Sequence, residues 1–341
     1  MGSRSIAYRR PRPCGLTVHP VVGCPFKCSY CYLPELGVGW KPRVSEISGN
    51  KLVENILANR YFVKGGYGTF LAFGSLGEPF LPGPATTKTL EFMSAVKKRL
   101  GNPIQVSTKA VVPISDVLKG VSVLITVVTI KRWKEIEPYS TPPYIRMENF
   151  RRVNSVGGVP ALFVRPIIPG VTDVEIYDIL KVAYKHGCRY AVFGGFRVTR
   201  NIIGRLARAG VDVSRIKDRI RGRLDDRQRY IIGYDLKVEA MQLAKEVGIV
   251  PLGSACCATA LAYGIACTDP VWVWEKCTGC PNNCKEKIPD EDSVLKFLAS
   301  LGIHGRVYDN KVLLDKIEYR RLKEWTKVKI QTFSRRFVVI G

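Results

Sequence analysis

The chain has 341 residues, 46% of them hydrophobic, and a formal net charge of +24 from 53 Lys and Arg against 29 Asp and Glu. That is enough for a sizeable core in one large domain or two ordinary ones, and the absence of any run of about 18 apolar residues excludes a membrane helix. The excess of cations goes beyond what solubility needs and points to a polyanionic partner, the alternative being a solvated, ion-rich surface. Met1–Ser5 show no signal-peptide core, and 11 cysteines without a secretion signal favour metal binding over disulfides, so a cytoplasmic protein is expected.

In chain order, Gly15–Val22 reads as a strand running into a loop with cysteines at 24, 28 and 31. Leu52, Val53, Ile56 and Leu57 have helical spacing. The strand Thr69–Ser75 leads into the turn Gly74–Pro79. A helix over Thr87–Leu100 puts Leu90, Met93, Val96 and Leu100 on one face and ends at Gly101. The strands Ile104–Ala110, Val121–Ile130, Ala161–Ile168 and Arg189–Phe193 alternate with helices near Lys131–Glu137, Arg146–Val156 and Val174–His186. Beyond Asn201 comes a basic helical stretch, then a helix and strand over Lys237–Val250, a cysteine-rich stretch from Ala255 to Lys287, and a helix at Ser293–Leu301 capped by Asp292, with Val294, Leu298 and Leu301 inward. Six strands, each followed by helical material, predict an α/β fold with a parallel sheet.

The cysteine loop carries the strongest chemical signal. Cys24, Cys28 and Cys31 form C-x3-C-x2-C, and three thiolates in one loop can hold three corners of an iron–sulfur cube, leaving an iron open to chemistry. A zinc knuckle would want a fourth ligand nearby. The nearest of the 3 histidines, His19, lies upstream in the strand region. With the flanking words Val21-Val-Gly-Cys and Ser29-Tyr-Cys-Tyr-Leu-Pro34, the loop resembles the signature of the radical S-adenosylmethionine (radical SAM) enzymes, most of all the spore photoproduct lyase-like branch.

That resemblance covers roughly residues 14–200. It implies a partial (β/α)6 TIM-like barrel, a [4Fe–4S] cluster on Cys24, Cys28 and Cys31, and reductive cleavage of S-adenosylmethionine (SAM) fed by a reductant such as ferredoxin or flavodoxin. It assigns Gly77 and Glu78 to the methionine ammonium and Lys109 to the SAM carboxylate. Thr126, with Thr129, is offered to the ribose, and Tyr30 and the backbone at Ile168 to the adenine. Arg165 is expected to face the barrel interior, where a buried guanidinium needs an anion such as the SAM carboxylate or a substrate phosphate. Cys14 and Cys188 are candidate hydrogen donors, or small core residues. For Thr126, Thr129 and Arg165 an ordinary structural role weighs equally.

A second group of cysteines, at 256, 257, 267, 277, 280 and 284, suggests another metal centre. Cys267, Cys277, Cys280 and Cys284 are its expected ligands, with Cys257 or Cys256 as alternatives. An auxiliary iron–sulfur cluster is favoured over structural zinc. Trp272 and Trp274 either pack it or stack a base. The expected organisation is a core barrel at 12–200 and a basic, cysteine-rich C-terminal region at 201–341. Residues 197–229 carry 11 Arg and Lys against 4 Asp. The expected function is radical SAM chemistry on nucleic acid, as tRNA modification or DNA-lesion repair. The alternatives are a peptide-modifying radical SAM enzyme and a non-enzymatic nucleic-acid-binding iron–sulfur protein.

Overall fold

The structure is a computed structural model that describes residues 3–12, 15–276 and 280–341. At its centre are seven strands, all parallel, each beside its predecessor: β1 (Leu16–Val18), β2 (Leu71–Phe73), β3 (Ile104–Thr108), β4 (Ser122–Thr126), β5 (Val159–Val164), β6 (Tyr190–Phe193) and β7 (Val250–Leu252). The crossovers supply α1 (Gly49–Leu57), α2 (Pro84–Arg99), α3 (Pro143–Ser155), α4 (Thr172–Lys185), α5 (Arg200–Arg208) and α6 (Tyr234–Val247). Sequential parallel strands with helical crossovers make an open, partial barrel of the α/β class. It has one strand more than the six expected. β7 is only 3 residues long and contains Pro251. Its register on β6, Val250 against Tyr190 and Leu252 against Val192, makes it a seventh strand of this sheet, a place that the strand read at the end of Lys237–Val250 did not announce. The sheet continues past residue 200, to Leu252.

Strand composition follows from burial on both faces. All of β4 is buried, as expected of a parallel strand between two layers. Val123 and Ile125 join the outer core with Met93 and Val96 of α2, Phe150 and Val153 of α3, and Ile179 and Leu180 of α4. Leu124 points the other way, and with Ala161, Val192 and Leu252 it meets Ala255, Cys257 and Ala258 of α7 (Ala255–Ala262). The small side chains of α7 let it lie close against the inner face of the sheet. Two bonds fix it there: Thr259 Oγ1 donates to Gln105 Oε1 at 2.8 Å, and the Ile104 N–H donates to the Tyr263 hydroxyl at 2.9 Å.

The remaining elements are α8 (Glu291–Ser300), β8 (Arg306–Tyr308), β9 (Lys311–Leu314), α9 (Lys316–Arg321), α10 (Glu324–Ser334) and β10 (Phe337–Ile340). β9 runs antiparallel to β8 and parallel to β10. Val294, Leu298, Val312, Leu314, Ile330 and Val338 form their own core. The cap of α8 is Asp290, whose carboxylate accepts from the Ser293 N–H at 2.7 Å, and not Asp292, which pairs with Lys296. Among the described residues no helix is long and apolar enough to cross a membrane.

Candidate active site at the open edge of the sheet

Because the strands are parallel, their C-terminal ends share one edge. The cysteine loop leaves β1, the turn Gly74–Pro79 leaves β2, and Lys109 follows β3. Thr126 ends β4, Arg165 and Ile168 follow β5, and Gly194 follows β6. Residues far apart in the chain therefore meet at one rim.

The cysteine loop is tied down at three points. The Gly23 N–H donates to the Leu76 carbonyl at 2.8 Å, and Gly23 bridges to Gly77. A Cβ on Gly77 would stand 2.6 Å from the Val21 carbonyl oxygen, so this approach requires glycine. The Ser29 N–H donates to the Ile136 carbonyl at 2.8 Å. From α5, Arg205 donates to the carbonyls of Ser29 (3.1 Å) and Cys31 (2.6 Å) and to the Glu35 carboxylate (2.9 Å). Cys28 is buried, and Cys24 and Cys31 are half-buried.

Burial, helped by the Glu78 charge, pushes the Cys24 thiol up to about 12, and burial raises Cys28 and Cys31 as well. Ligation needs thiolates. Lys109 opposes the rise at all three thiols, and Arg205 does so at Cys31. Three thiols in one loop, backed by fixed cations, are a donor set that fits an iron–sulfur cluster. Among the described residues no three His, Cys, Asp or Glu side chains close around a single-ion position. His19 does not turn to the cysteines. Its Nδ1 lies 3.4 Å from Ser75 Oγ and its Nε2 3.3 Å from Arg9, and burial together with the Arg9 charge lowers its pKa to about 4.

Among solved structures, a spore photoproduct lyase double mutant with bound AdoMet and dinucleoside spore photoproduct matches 73% of this chain and 80% of its own, with a TM-score of 0.58 at 15% identity. Spore photoproduct lyase complexed with dinucleoside spore photoproduct matches 73% and 83%, with a TM-score of 0.55 at 16% identity. The chain has the fold of spore photoproduct lyase. No protein-family model matches the chain, and no curated protein does.

In this lyase-like barrel Glu78 is 5% exposed. Its carboxylate accepts from the Thr108 hydroxyl, from the Lys109 N–H at 2.9 Å and from the Phe80 N–H at 3.2 Å. It therefore knits the ends of β2 and β3 together, a structural duty that the glycine-turn motif did not reveal. Burial raises its carboxyl above the usual range although those bonds oppose the rise. Burial alone would lower the Lys109 ammonium, but the charges of Cys28 and Glu137 outweigh it and raise it. Lys109 Nζ lies 5.3 Å from the Tyr30 ring centroid.

Beneath the cysteine loop is a buried polar chain that the sequence did not disclose. The Tyr30 hydroxyl donates to Glu137, and Glu137 pairs with Arg146 at 2.5 Å, both side chains being 0% exposed. Arg146 Nη1 donates to the Thr126 carbonyl at 2.7 Å. The Thr129 hydroxyl is taken by Glu175 at 3.0 Å. The Ile168 carbonyl accepts from the Thr172 N–H at 2.8 Å as α4 begins.

Two expectations need correction. Arg165 is exposed, and its side chain lies across Gly194, where a Cβ would stand 2.5 Å from its Cγ. It therefore needs no buried anion. Cys188 is 0% exposed, precedes β6 at the opposite edge of the sheet, and donates to the Tyr190 carbonyl at 3.2 Å. That is a core thiol far from the rim. Cys14 and Cys277 lie outside the described residues.

Of the C-terminal cysteines, Cys256, Cys267 and Cys284 share a buried cluster with Phe70 and Val273, and Trp272 and Trp274 pack against it. Cys280 is half-buried. Cys257, the neighbour of Cys256 on α7, faces Leu252 and Ala255 instead.

Proposed function

We propose that the chain is a radical SAM enzyme acting on nucleic acid. The observation that carries this reading is the cysteine loop after β1, held by Gly77, Ile136 and Arg205 at the rim of a spore photoproduct lyase fold. Cys24, Cys28 and Cys31 would hold a [4Fe–4S] cluster, which when bound would supply the electron for reductive cleavage of SAM. Around it, the absent side chain of Gly77 lets backbone approach the methionine ammonium, and Lys109 sets a positive charge for the SAM carboxylate. Glu78 holds the strand ends on which both depend and offers its one remaining acceptor site to the ammonium. Thr126, Ile168 and the backbone of Tyr30 line the nucleoside side. Arg165, open to solvent on the same rim, is placed for a substrate phosphate.

Two features support nucleic acid as the substrate. Spore photoproduct lyase is seen with a dinucleoside photoproduct. In this chain β6 leads directly into a two-stranded ribbon, Arg197–Val198 against Arg229–Tyr230, in which the Arg197 guanidinium sits 4.0 Å from the centroid of the Tyr230 ring, a side chain 60% exposed. Exposed cations interleaved with aromatic rings suit phosphates and bases. The test is 5′-deoxyadenosine formation under dithionite. Replacing Cys24, Cys28 and Cys31 together by Ala is expected to abolish it, and persistence in the triple variant would overturn the reading.

A further inference from the structure

Arg335 is the most unusual charge in the molecule. It is 0% exposed and stands at the end of α10 with φ +59, a backbone conformation that favours glycine. Its Nε donates to the Ala266 carbonyl at 3.2 Å and its Nη1 to the Tyr67 carbonyl at 2.8 Å. Among the described residues its buried Nη2 has no hydrogen-bond partner and no carboxylate pairs with it. A buried guanidinium without a counter-charge is costly, and neutral carbonyls do not supply one.

What lies beside it is sulfur. The carbonyl that holds its Nε belongs to Ala266, the neighbour of Cys267, and its guanidinium lies 5.7 Å from the centroid of the Phe70 ring, which shares one buried cluster with Cys256, Cys267 and Cys284. The sulfur of Cys256 is 3.5 Å from that of Cys267. Asn282 Nδ2 donates to Cys284 Sγ at 3.2 Å, and Trp274 Nε1 donates to the Arg335 carbonyl at 2.7 Å, tying the cation to the stretch that carries the thiols. A set of sulfurs from α7, the loop after it and the turn at Asn282 converges where a buried cation lacks its anion.

We propose that Cys256, Cys267, Cys280 and Cys284 bind a second, tetrathiolate metal centre whose negative charge is balanced by Arg335. Four thiolates around an oxidised iron–sulfur cube carry a net charge of about −2, which the guanidinium offsets. A single zinc does not suit the site, because among the described residues no three such side chains close around a single-ion position. Cys256 rather than Cys257 is the α7 ligand, because only Cys256 faces this cluster. The site does not depend on SAM cleavage, and it stands or falls separately from the proposed activity.

The variant lacking Cys24, Cys28 and Cys31, purified anaerobically, isolates the second centre. Elemental and sulfide analysis is expected to find about four irons with matching acid-labile sulfide. Adding Cys267→Ser with Cys284→Ser is expected to remove them. Absence of iron from the first variant, or about one zinc per chain in its place, would overturn the proposal. In the otherwise intact protein, Arg335→Gln keeps hydrogen-bond donors but loses the charge. It is expected to lose this metal to a chelator roughly tenfold faster or more, with Arg335→Lys in between. Unchanged retention in Arg335→Gln would refute the charge pairing. The metal analysis needs no Arg335 variant, so the proposal remains testable if that substitution prevents folding.

Discussion

The side chains of Tyr30, Glu137 and Arg146 show how much of the site rests on a buried polar chain behind the cysteine loop. Burial would raise the Glu137 carboxyl, but the charges of Arg146 and Lys109 outweigh it and hold it below the usual range. Removing one partner of such a pair leaves the other charged in a dry environment, at a cost of about 3–5 kcal/mol. Arg146→Met is therefore expected to destabilise the fold by that order in denaturant unfolding, and to weaken iron retention because Tyr30 lies in the cysteine loop. Adding Glu137→Leu should recover most of the stability. A loss below about 1 kcal/mol for the single variant, the range of an exposed pair, would show that this pair does not hold the loop. The thiols at 24, 28 and 31 were legible because close spacing in one loop is itself a chemical signal. Glu137 and Arg146 were not, because an ion pair between a short helical turn and α3 leaves no mark in the spacing of residues.

At the scale of elements, α5 is the unexpected part of the site. It reads as one more piece of a basic surface, yet one of its arginines reaches three acceptors in and beside the cysteine loop. Lysine cannot reproduce that fork. Arg205→Ala and Arg205→Lys are both expected to speed iron loss and to slow SAM cleavage by roughly 10-fold, the order typical of partners that orient metal ligands. An unchanged iron half-life in Arg205→Ala would remove α5 from the site. α2 was legible, because a long amphipathic period ending at Gly101 needs no tertiary help. The place of β7 in the sheet and the helix α7 were not. A strand ending near Val250 was legible, but its pairing with β6 joins distant segments, and α7 is apolar and small-sided because it is buried, not because it is amphipathic.

At the scale of the whole molecule, the charge of +24 resolves into cations with internal work and cations without it. Arg205, Arg219 and Arg229 are bonded to Glu35, Asp235 and Asp225, and Arg215 leans on Asp173 at 3.9 Å. Arg221, Arg223 and Arg227 are exposed, and they are the better test of a nucleic-acid surface. Reversing these three to Glu is expected to weaken binding of tRNA or duplex DNA while leaving unproductive SAM cleavage intact. Binding by the unaltered protein should fall with salt at a log–log slope of roughly −0.7 to −0.9 per phosphate contacted. If filter binding shows no preference among folded tRNA, duplex DNA and heparin, and the reversal changes nothing, peptide modification replaces nucleic acid as the reading. The amino-acid sequence by itself determined the α/β class, the cysteine loop and the order of the motifs, since periodicity, turn residues and close spacing are properties of short segments. Only the tertiary structure decided that Glu78 joins two strands, that Arg165 is open to solvent, that Cys188 is core, that Arg205 holds the carbonyls of a cysteine loop far away in the chain, and that Arg335 is buried against the carbonyls of Tyr67 and Ala266. The physical reason is that burial and charge pairing arise between segments brought together by folding, and no window along the chain contains both partners.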